Sequence, residues 1–267
     1  MRRLALTAGL LLAACTTPIR GLDHDPSFNS ASVGASGLAI GGVVAARHPL
    51  DPAQRASYSD MLRTALRAER PSLTILTADA VASALGESGY DEMLREYREL
   101  GAPSAASLGT LSKRLDHARY LVLARIDRSQ TSRWTTDEAI ENSKGKRIGT
   151  KTHYRHGRTV AVSMRIFDLD NGATVWSGSV EKSSWNENTE DEQDPDLYDD
   201  DSKHQSFGKD LRDAALAGLA LGALDAVLGD GGGSTSSAPP DPYPDPPDES
   251  DLLEQAFRGF GENFPQR

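Results

Sequence analysis

A predicted β-hairpin in the second half of the chain places the strongest constraint on the fold. Apolar and polar residues alternate over residues 159–167 and again over residues 174–180. Alternation with a period of two residues is typical of strands that bury one face. The segment between them contains Asn171-Gly172, a dipeptide strongly favoured in tight hairpin turns. The chain is therefore expected to form antiparallel sheet at this point.

A third strand and several helices complete the predicted domain. The apolar run at residues 120–126 predicts a strand, which gives a three-stranded antiparallel sheet over residues 118–181. Residues 128–157 lose apolar periodicity and are predicted to form a polar excursion from this sheet. Upstream, an apolar Gly-rich strand and helical patterns are predicted at residues 37–45, 51–70, 80–85, 90–100 and after Ser104. We predict an α+β domain over residues 37–183, with a mostly antiparallel sheet packed with helices on one side.

The first residues have the layout of a signal peptide. Two arginines precede a short apolar run, residues 4–14, and the only cysteine of the chain, Cys15, follows it. A positive segment, about 7–15 apolar residues and small residues at the cut define such a peptide. The run is shorter than the roughly 20 residues that a membrane-spanning helix needs. We expect residues 1–14 to be removed by cleavage between Ala14 and Cys15.

The residues at the predicted cut resemble a lipid attachment site. Leu12-Ala13-Ala14-Cys15 resembles the lipobox of bacterial lipoproteins, in which the cysteine sulfur receives a diacylglycerol and becomes the new N-terminus. The resemblance implies a lipid-anchored envelope protein carrying acyl chains such as palmitate at Cys15. Thr16 follows, where an Asp would favour the inner membrane, so the family's sorting rule implies the outer membrane, facing the periplasm. An ordinary signal peptide with an incidental cysteine is the alternative.

Charge and cysteine content exclude several classes of function. The chain of 267 residues has a formal net charge of −10, and the predicted signal peptide removes only positive charge. Nucleic acids and anionic lipid surfaces attract basic patches, so we expect the domain to bind neither. Once Cys15 carries lipid, no cysteine remains for a disulfide, a thiolate nucleophile or a zinc site. No cofactor is predicted.

Candidate catalytic and metal-binding patterns have simpler explanations. Asp168 and Asp170 could form a carboxylate pair, but aspartates are common in hairpin turns. His153 and His156 have the spacing of a helical metal site but lie in an irregular stretch without acidic residues close in sequence. The sequence contains no nucleophile elbow and no H-E-x-x-H motif. We predict a protein without enzymatic activity or a bound metal, with a hydrolase of an envelope polymer as an alternative.

The rest of the chain is predicted to consist of disordered linkers and separate C-terminal helical segments. Residues 15–36 are expected to be a tether, residues 184–208 an acidic linker, and residues 230–249 a Gly/Ser/Pro linker. A helix is predicted over residues 209–229, where small residues spaced by four line one face. These small residues include Ala214, Gly218 and Gly222. The pattern is compatible with a helix docked on its own domain, with an association face for a second copy or a partner, and with shallow membrane contact.

A short amphipathic helix is predicted over residues 250–264. Its apolar side chains include Leu253, Phe257 and Phe260. An isolated helix of this length is marginal in water, so we expect it to bind something. A groove of its own domain, a second copy of the chain and another envelope protein are all compatible with the pattern. The two C-terminal helices are therefore candidate sites for partner binding or self-association.

The domain as a whole resembles a group of envelope proteins over residues 36–182. The features that carry the resemblance are the Gly-rich first strand, the helix at 51–70, residues 73–78, residues 120–127 and the hairpin Phe167-Asp168-Leu169-Asp170-Asn171-Gly172 with Val175-Trp176. They resemble the periplasmic domain of lipoproteins related to curli-secretion and penicillin-binding-protein activator lipoproteins, and the N-terminal domain of the Tol-Pal periplasmic protein. The resemblance implies this fold, an envelope setting and no catalytic residue.

The lipobox, the missing catalytic motifs and the C-terminal helix together favour one function. That function is a lipid-anchored adaptor whose periplasmic domain binds another, unidentified envelope component. A homo-oligomeric secretion or assembly component that uses the helix at residues 211–228 is the alternative.

Overall fold

The computed structural model describes residues 17–193 and 241–265, and these residues form two units. The first unit contains residues 17–132, 157–185 and 246–265, and the second contains residues 133–156, 186–193 and 241–245. The predicted signal peptide, with Ala14 and Cys15, lies outside the described residues. The predicted helix 209–229 also lies outside them, with its residues Ala214, Gly218 and Gly222.

Six strands and six helices occur in the described residues, which confirms the predicted α+β class. The strands are β1 (Arg20–His24), β2 (Leu38–Ala45), β3 (Ile75–Leu76), β4 (Tyr120–Glu141), β5 (Arg147–Asp168) and β6 (Thr174–Gln193). The helices are α1 (Ser30–Ser36), α2 (Pro52–Glu69), α3 (Ala78–Leu85), α4 (Glu87–Leu100), α5 (Ala105–Arg114) and α6 (Glu249–Glu262). The sheet order is β1-β6-β5-β4-β2-β3, with β1 antiparallel to β6 and β2 parallel to both β3 and β4.

Local capping explains where several helices begin. Asp51 Oδ1 accepts a hydrogen bond from the Gln54 amide at 2.8 Å, and Pro52 is the first residue of α2. Thr77 caps α3 and Ser104 caps α5 in the same way. The first N–H groups of a helix have no partner within it, so a side-chain oxygen just before the helix stabilises its start.

The central strands are buried on both faces, and helices lie on both sides of the sheet. Side chains of β4 alternate between two apolar clusters, with Tyr120 and Val122 in the first and Leu121 and Leu123 in the second. The first cluster includes residues of α2 and α6, and the second includes residues of α3, α4 and α5. From the sequence, helices are predicted on one side only. The second helical layer follows from the uninterrupted apolar sequence of β4, which must be buried on both faces.

Folded chain replaces most of the predicted tether. Residues 20–24 form β1, which pairs with β6, and residues 30–36 form α1. Phe28, between these elements, is 1% exposed, and its ring meets the Tyr120 ring edge to face at 5.0 Å between centroids. Two isolated apolar residues, Phe28 and Val33, hold the segment on the first cluster. They produce no periodic pattern, so the sequence does not reveal this packing.

Strands also replace the predicted polar excursion and the start of the acidic linker. The strands β4, β5 and β6 are 22, 22 and 20 residues long, so they cover most of residues 128–157 and residues 184–193. Between β4 and β5, Asn142 Oδ1 accepts hydrogen bonds from the Lys144 and Lys146 amides, and Gly145 has a positive φ of 75°. Most side chains in this stretch of β4 are exposed, so apolar alternation does not mark it as a strand.

Part of the predicted linker 230–249 is also held in place, within the second unit. Asn186 and Asn188 donate from Nδ2 to the carbonyl oxygens of Asp245 and Pro242 at 2.8 Å and 3.1 Å. The Arg133 guanidinium pairs with Asp241 at 2.8 Å and lies over the ring of Tyr243. Residues 241–245 therefore form specific side-chain contacts and do not act as a free linker.

Candidate functional site

Helix α6 is part of the core of the first unit. Leu253, Phe257 and Phe260, the predicted partner-binding residues, are each 0% exposed. The Phe260 ring meets the Trp176 ring edge to face at 5.9 Å, and Phe264 lies 5.8 Å from Trp176. Of the three binding sites that the sequence allows for this helix, the structure shows a groove of the helix's own domain. A surface that is fully buried in this way does not present these side chains to a partner.

The end of the same helix holds Thr17, the first described residue. The Thr17 amide donates to Glu262 Oε2 at 2.9 Å, and the Thr17 carbonyl oxygen accepts from Asn263 Nδ2 at 3.0 Å. Lys182 Nζ donates to Thr17 Oγ1 at 3.1 Å. Both backbone groups and the side chain of Thr17 are therefore bonded. This residue lies only two positions after Cys15.

A glycine of α6 allows Thr17 to come this close. A Cβ atom added at Gly259 would lie 2.8 Å from Thr17 Cγ2 and 2.9 Å from Thr17 Cβ, closer than carbon atoms approach in proteins. Glycine inside a helix costs about 0.5–1 kcal/mol relative to alanine, so its presence here has a packing reason. We call Lys182, Gly259, Glu262 and Asn263 the N-terminal clamp.

Sequence reasoning does not find the N-terminal clamp. Three of its residues lie more than 240 positions after Thr17, and the bonded groups follow no spacing rule. The only available signal is the pair Gly259 and Gly261 inside an amphipathic helix, since glycine there marks a packing or functional constraint. At Gly261 an added Cβ would lie 2.9 Å from the side chain of Glu69, so this glycine brings α6 close to α2.

A groove of about 460 Å³ adjoins the end of α6. It is lined by residues of α1, by Glu69 and Arg70 at the end of α2, by residues 71–73 and by Phe264 and Pro265. Arg70 donates from Nη2 to the Phe264 carbonyl oxygen at 3.1 Å, which fastens the segment after α6. The lining contains one carboxylate and no histidine. It therefore lacks the pair of titratable groups that general acid–base catalysis uses.

The two hairpin aspartates, Asp168 and Asp170, have a structural role. Asp168 is 1% exposed, and its Oδ2 accepts from Arg119 Nη2 at 2.6 Å and from Arg119 Nε at 3.0 Å. Its Oδ1 accepts from the Asp170 amide at 2.9 Å. The Asp170 side chain is 64% exposed and lies 3.3 Å from Arg119 Nε. Both carboxylates thus pair with one guanidinium at a turn, and the bond to Asp168 raises the pKa of Arg119.

Replacing Asp168 by alanine is expected to lower the free energy of unfolding by about 2–3 kcal/mol. The change removes a buried carboxylate that accepts hydrogen bonds from the Arg119 guanidinium and the Asp170 amide, and it leaves these partly buried donors without that acceptor. The matched control is Asp170→Ala, whose exposed ion pair should contribute about 1 kcal/mol or less. Urea denaturation of the two variants provides the measurement. Equal losses in both would contradict the structural role of Asp168.

The two histidines are held by residues of the second unit. His153 Nδ1 lies 2.8 Å from Glu187 Oε1, and His153 Nε2 lies 3.3 Å from Glu138 Oε2. His156 Nδ1 pairs with the Pro244 carbonyl oxygen at 2.9 Å. The hydrogen bond from His153 lowers the pKa of Glu187, with Arg155 adding to the effect. The acidic partners come from neighbouring strands, which the local sequence does not show.

Neither a metal centre nor a membrane-spanning helix occurs in the part of the chain that the structure describes. Over residues 17–193 and 241–265, no three side chains of His, Cys, Asp or Glu are grouped to hold a metal ion. Within the same residues, every helix is too short or too polar to cross a membrane.

Comparisons with known proteins give structural likenesses of low identity. No protein-family model matches the chain, and no curated protein matches it. The PelC dodecamer from Paraburkholderia phytofirmans is 15% identical with a TM-score of 0.32, over 63% of this chain and 82% of that one. The LpoB C-terminal domain from Salmonella enterica is 15% identical with a TM-score of 0.34, over 58% and 88%. Lipoprotein GNA1162 from Neisseria meningitidis is 14% identical with a TM-score of 0.30, over 69% and 98%. Likenesses at these values assign no function to the chain.

Proposed function

We propose that this protein is a lipid-anchored, non-enzymatic protein of the bacterial cell envelope. Its α+β domain is held at the periplasmic face of the outer membrane, where it binds another envelope component. The observation that carries the proposal is the run Leu12-Ala13-Ala14-Cys15 after a short apolar segment with two arginines before it. Cleavage before Cys15 and acylation of its sulfur would put the anchor two residues before Thr17.

The described side chains support a binding role over a catalytic one. Asp168 and Asp170 both pair with the guanidinium of Arg119. Both ring nitrogens of His153 lie beside glutamate carboxylates. The groove beside α6 offers one carboxylate and no histidine. None of these arrangements provides a nucleophile with an adjacent base, which covalent catalysis requires.

The proposed partner contact lies outside the core helix. Because Leu253, Phe257 and Phe260 are buried, we assign the partner contact to other residues. The predicted small-residue helix, with Ala214, Gly218 and Gly222, remains a candidate contact. If that helix joins two copies of the chain, the protein is a homo-oligomeric assembly or secretion component.

The variant Cys15→Ala is expected to abolish labelling of the protein by a fatty-acid analogue in growing cells. The same variant should accumulate as uncleaved or unattached protein, since the only sulfur available for acylation is gone. Thr16→Ala is the matched control and should keep its label and its membrane attachment. Labelling that survives in Cys15→Ala would contradict the proposed anchor.

Crosslinking in the same cells separates the two forms of the proposal. A crosslinked species containing a second protein supports the adaptor role. Species at multiples of the mass of this chain support self-association. The complete absence of both, in cells where Cys15 is labelled, would contradict the binding role and leave the anchor intact.

A further inference from the structure

We infer that the first unit lies directly against the membrane surface, with the C-terminal end of α6 and the adjoining part of β6 facing the lipid headgroups. This inference rests on the proposed acylation of Cys15. A flexible tether would let the domain move away from the bilayer and rotate. A short anchor instead gives the domain a fixed orientation.

The chain between the anchor and the N-terminal clamp is short. Only Thr16 separates Cys15 from Thr17. An extended chain spans at most about 3.3–3.6 Å per residue, so the Cα atoms of Cys15 and Thr17 are no more than about 7 Å apart. An acyl chain on Cys15 enters the bilayer, and Thr17 must therefore lie at the headgroup layer.

Thr17 is held firmly in the first unit. The N-terminal clamp bonds its amide, its carbonyl and its hydroxyl group. Two residues later, Ile19 packs against the first apolar cluster, and Arg20 pairs with Ser179 in the sheet. A Cβ atom at Gly178 would lie 2.6 Å from Ile19 Cγ2, so Ile19 also sits tightly on β6. Any flexible part of the anchor must therefore lie before Thr17.

The surface around the N-terminal clamp carries charges of both signs. The exposed face of α6 carries Asp251, Glu254 and Arg258, and Arg258 pairs with Glu254 at 3.0 Å. This face has no excess of positive charge, so anionic headgroups do not attract it. The acyl group must supply the attachment, and the clamp supplies the orientation. This surface accordingly contacts a layer of lipid headgroups, because the anchor holds it close to the membrane.

The test uses full-length, acylated protein in phosphatidylcholine vesicles that contain a headgroup-attached fluorescence quencher. Single labels are placed at Arg258→Cys, beside the N-terminal clamp, and at Leu100→Cys, which is 78% exposed at the end of α4. Helices α6 and α4 belong to opposite faces of the sheet. We expect several-fold stronger quenching at position 258 than at position 100. Equal quenching at the two positions would overturn the inference.

A clamp variant tests the cause of the orientation. Gly259→Ala should push Thr17 away from α6 and reduce the difference between the two labels. Gly109→Ala in α5 is the control, because an added Cβ there meets nothing within 4 Å. If Gly259→Ala does not fold, as judged by circular dichroism, Asn263→Ala takes its place, since it removes the bond to the Thr17 carbonyl. An unchanged difference in a folded clamp variant would also overturn the inference.

The failure of this inference is distinguishable from the failure of the proposed function. Mass spectrometry of the purified protein reports whether Cys15 carries acyl chains. Protein without acyl chains on Cys15 would contradict the proposed anchor. Acylated protein with equal quenching at positions 100 and 258 would support the anchor and contradict only the orientation.

Discussion

Replacing Phe257 by alanine should lower the free energy of unfolding by about 3–5 kcal/mol, the usual cost of deleting a buried aromatic side chain. Phe257 is 0% exposed and belongs to the first apolar cluster, which also contains residues of α2 and of the sheet. Removing its ring would leave a cavity. Because α6 already lies close to α2 at Gly261, the helix has little freedom to move inward and fill it.

Gln255→Ala on the exposed face of α6 is the matched control for this change. Its effect should stay within about 0.5 kcal/mol, as for most surface substitutions. Urea denaturation followed by circular dichroism measures both variants. If Phe257→Ala were as stable as Gln255→Ala, α6 would not be part of the core. A partner-binding role for Leu253, Phe257 and Phe260 would then regain its basis.

Replacing Gly37 by alanine should lower the free energy of unfolding by about 3 kcal/mol or more, through backbone strain and overpacking of about 1–3 kcal/mol each. Gly37 joins α1 to β2 with a φ of 71° and a ψ of 168°, a conformation that is almost confined to glycine. An added Cβ would lie 2.3 Å from the His117 carbonyl oxygen and 3.2 Å from that of Thr74. Both are backbone atoms, so no side-chain rotation relieves the overlap.

Gly34→Ala, three residues earlier in α1, is the control for Gly37→Ala. An added Cβ there meets nothing within 4 Å, and alanine is favoured over glycine in a helix by up to about 1 kcal/mol. We expect Gly34→Ala to be as stable as the unmodified protein or slightly more stable. Thermal and urea denaturation compare the two variants. Similar stabilities for Gly34→Ala and Gly37→Ala would show that the turn between α1 and β2 tolerates a side chain.

Elements with a strong local signal could be predicted from the sequence. Helix α2 has a capping aspartate, a proline at its first position and a periodic apolar face, and it occurs where it is predicted. The hairpin of β5 and β6 has alternating residues and a turn at Asn171-Gly172. In both cases the residues that determine the element lie within it, so no information about distant parts of the chain is needed.

The candidate site could be predicted only in part. Cys15 and the apolar run before it form a local motif, and they remain the basis of the proposed anchor. The N-terminal clamp is different, because Thr17 meets Asn263 and Glu262 across the whole length of the chain. Hydrogen bonds between residues so far apart in sequence have no spacing pattern, and polar side chains of this kind are common on any surface.

The sequence by itself determined the types and order of the elements between β2 and the hairpin of β5 and β6, and the amphipathic character of α6. Only the tertiary structure decided where the apolar face of α6 is buried, because that pattern is the same for a groove of its own domain and for a partner. The same holds for residues 20–36, whose two buried apolar side chains, Phe28 and Val33, pack in a cluster formed by distant strands. The partner surface that buries an apolar face depends on which surfaces meet in space. A sequence pattern shows only that the apolar face must be covered.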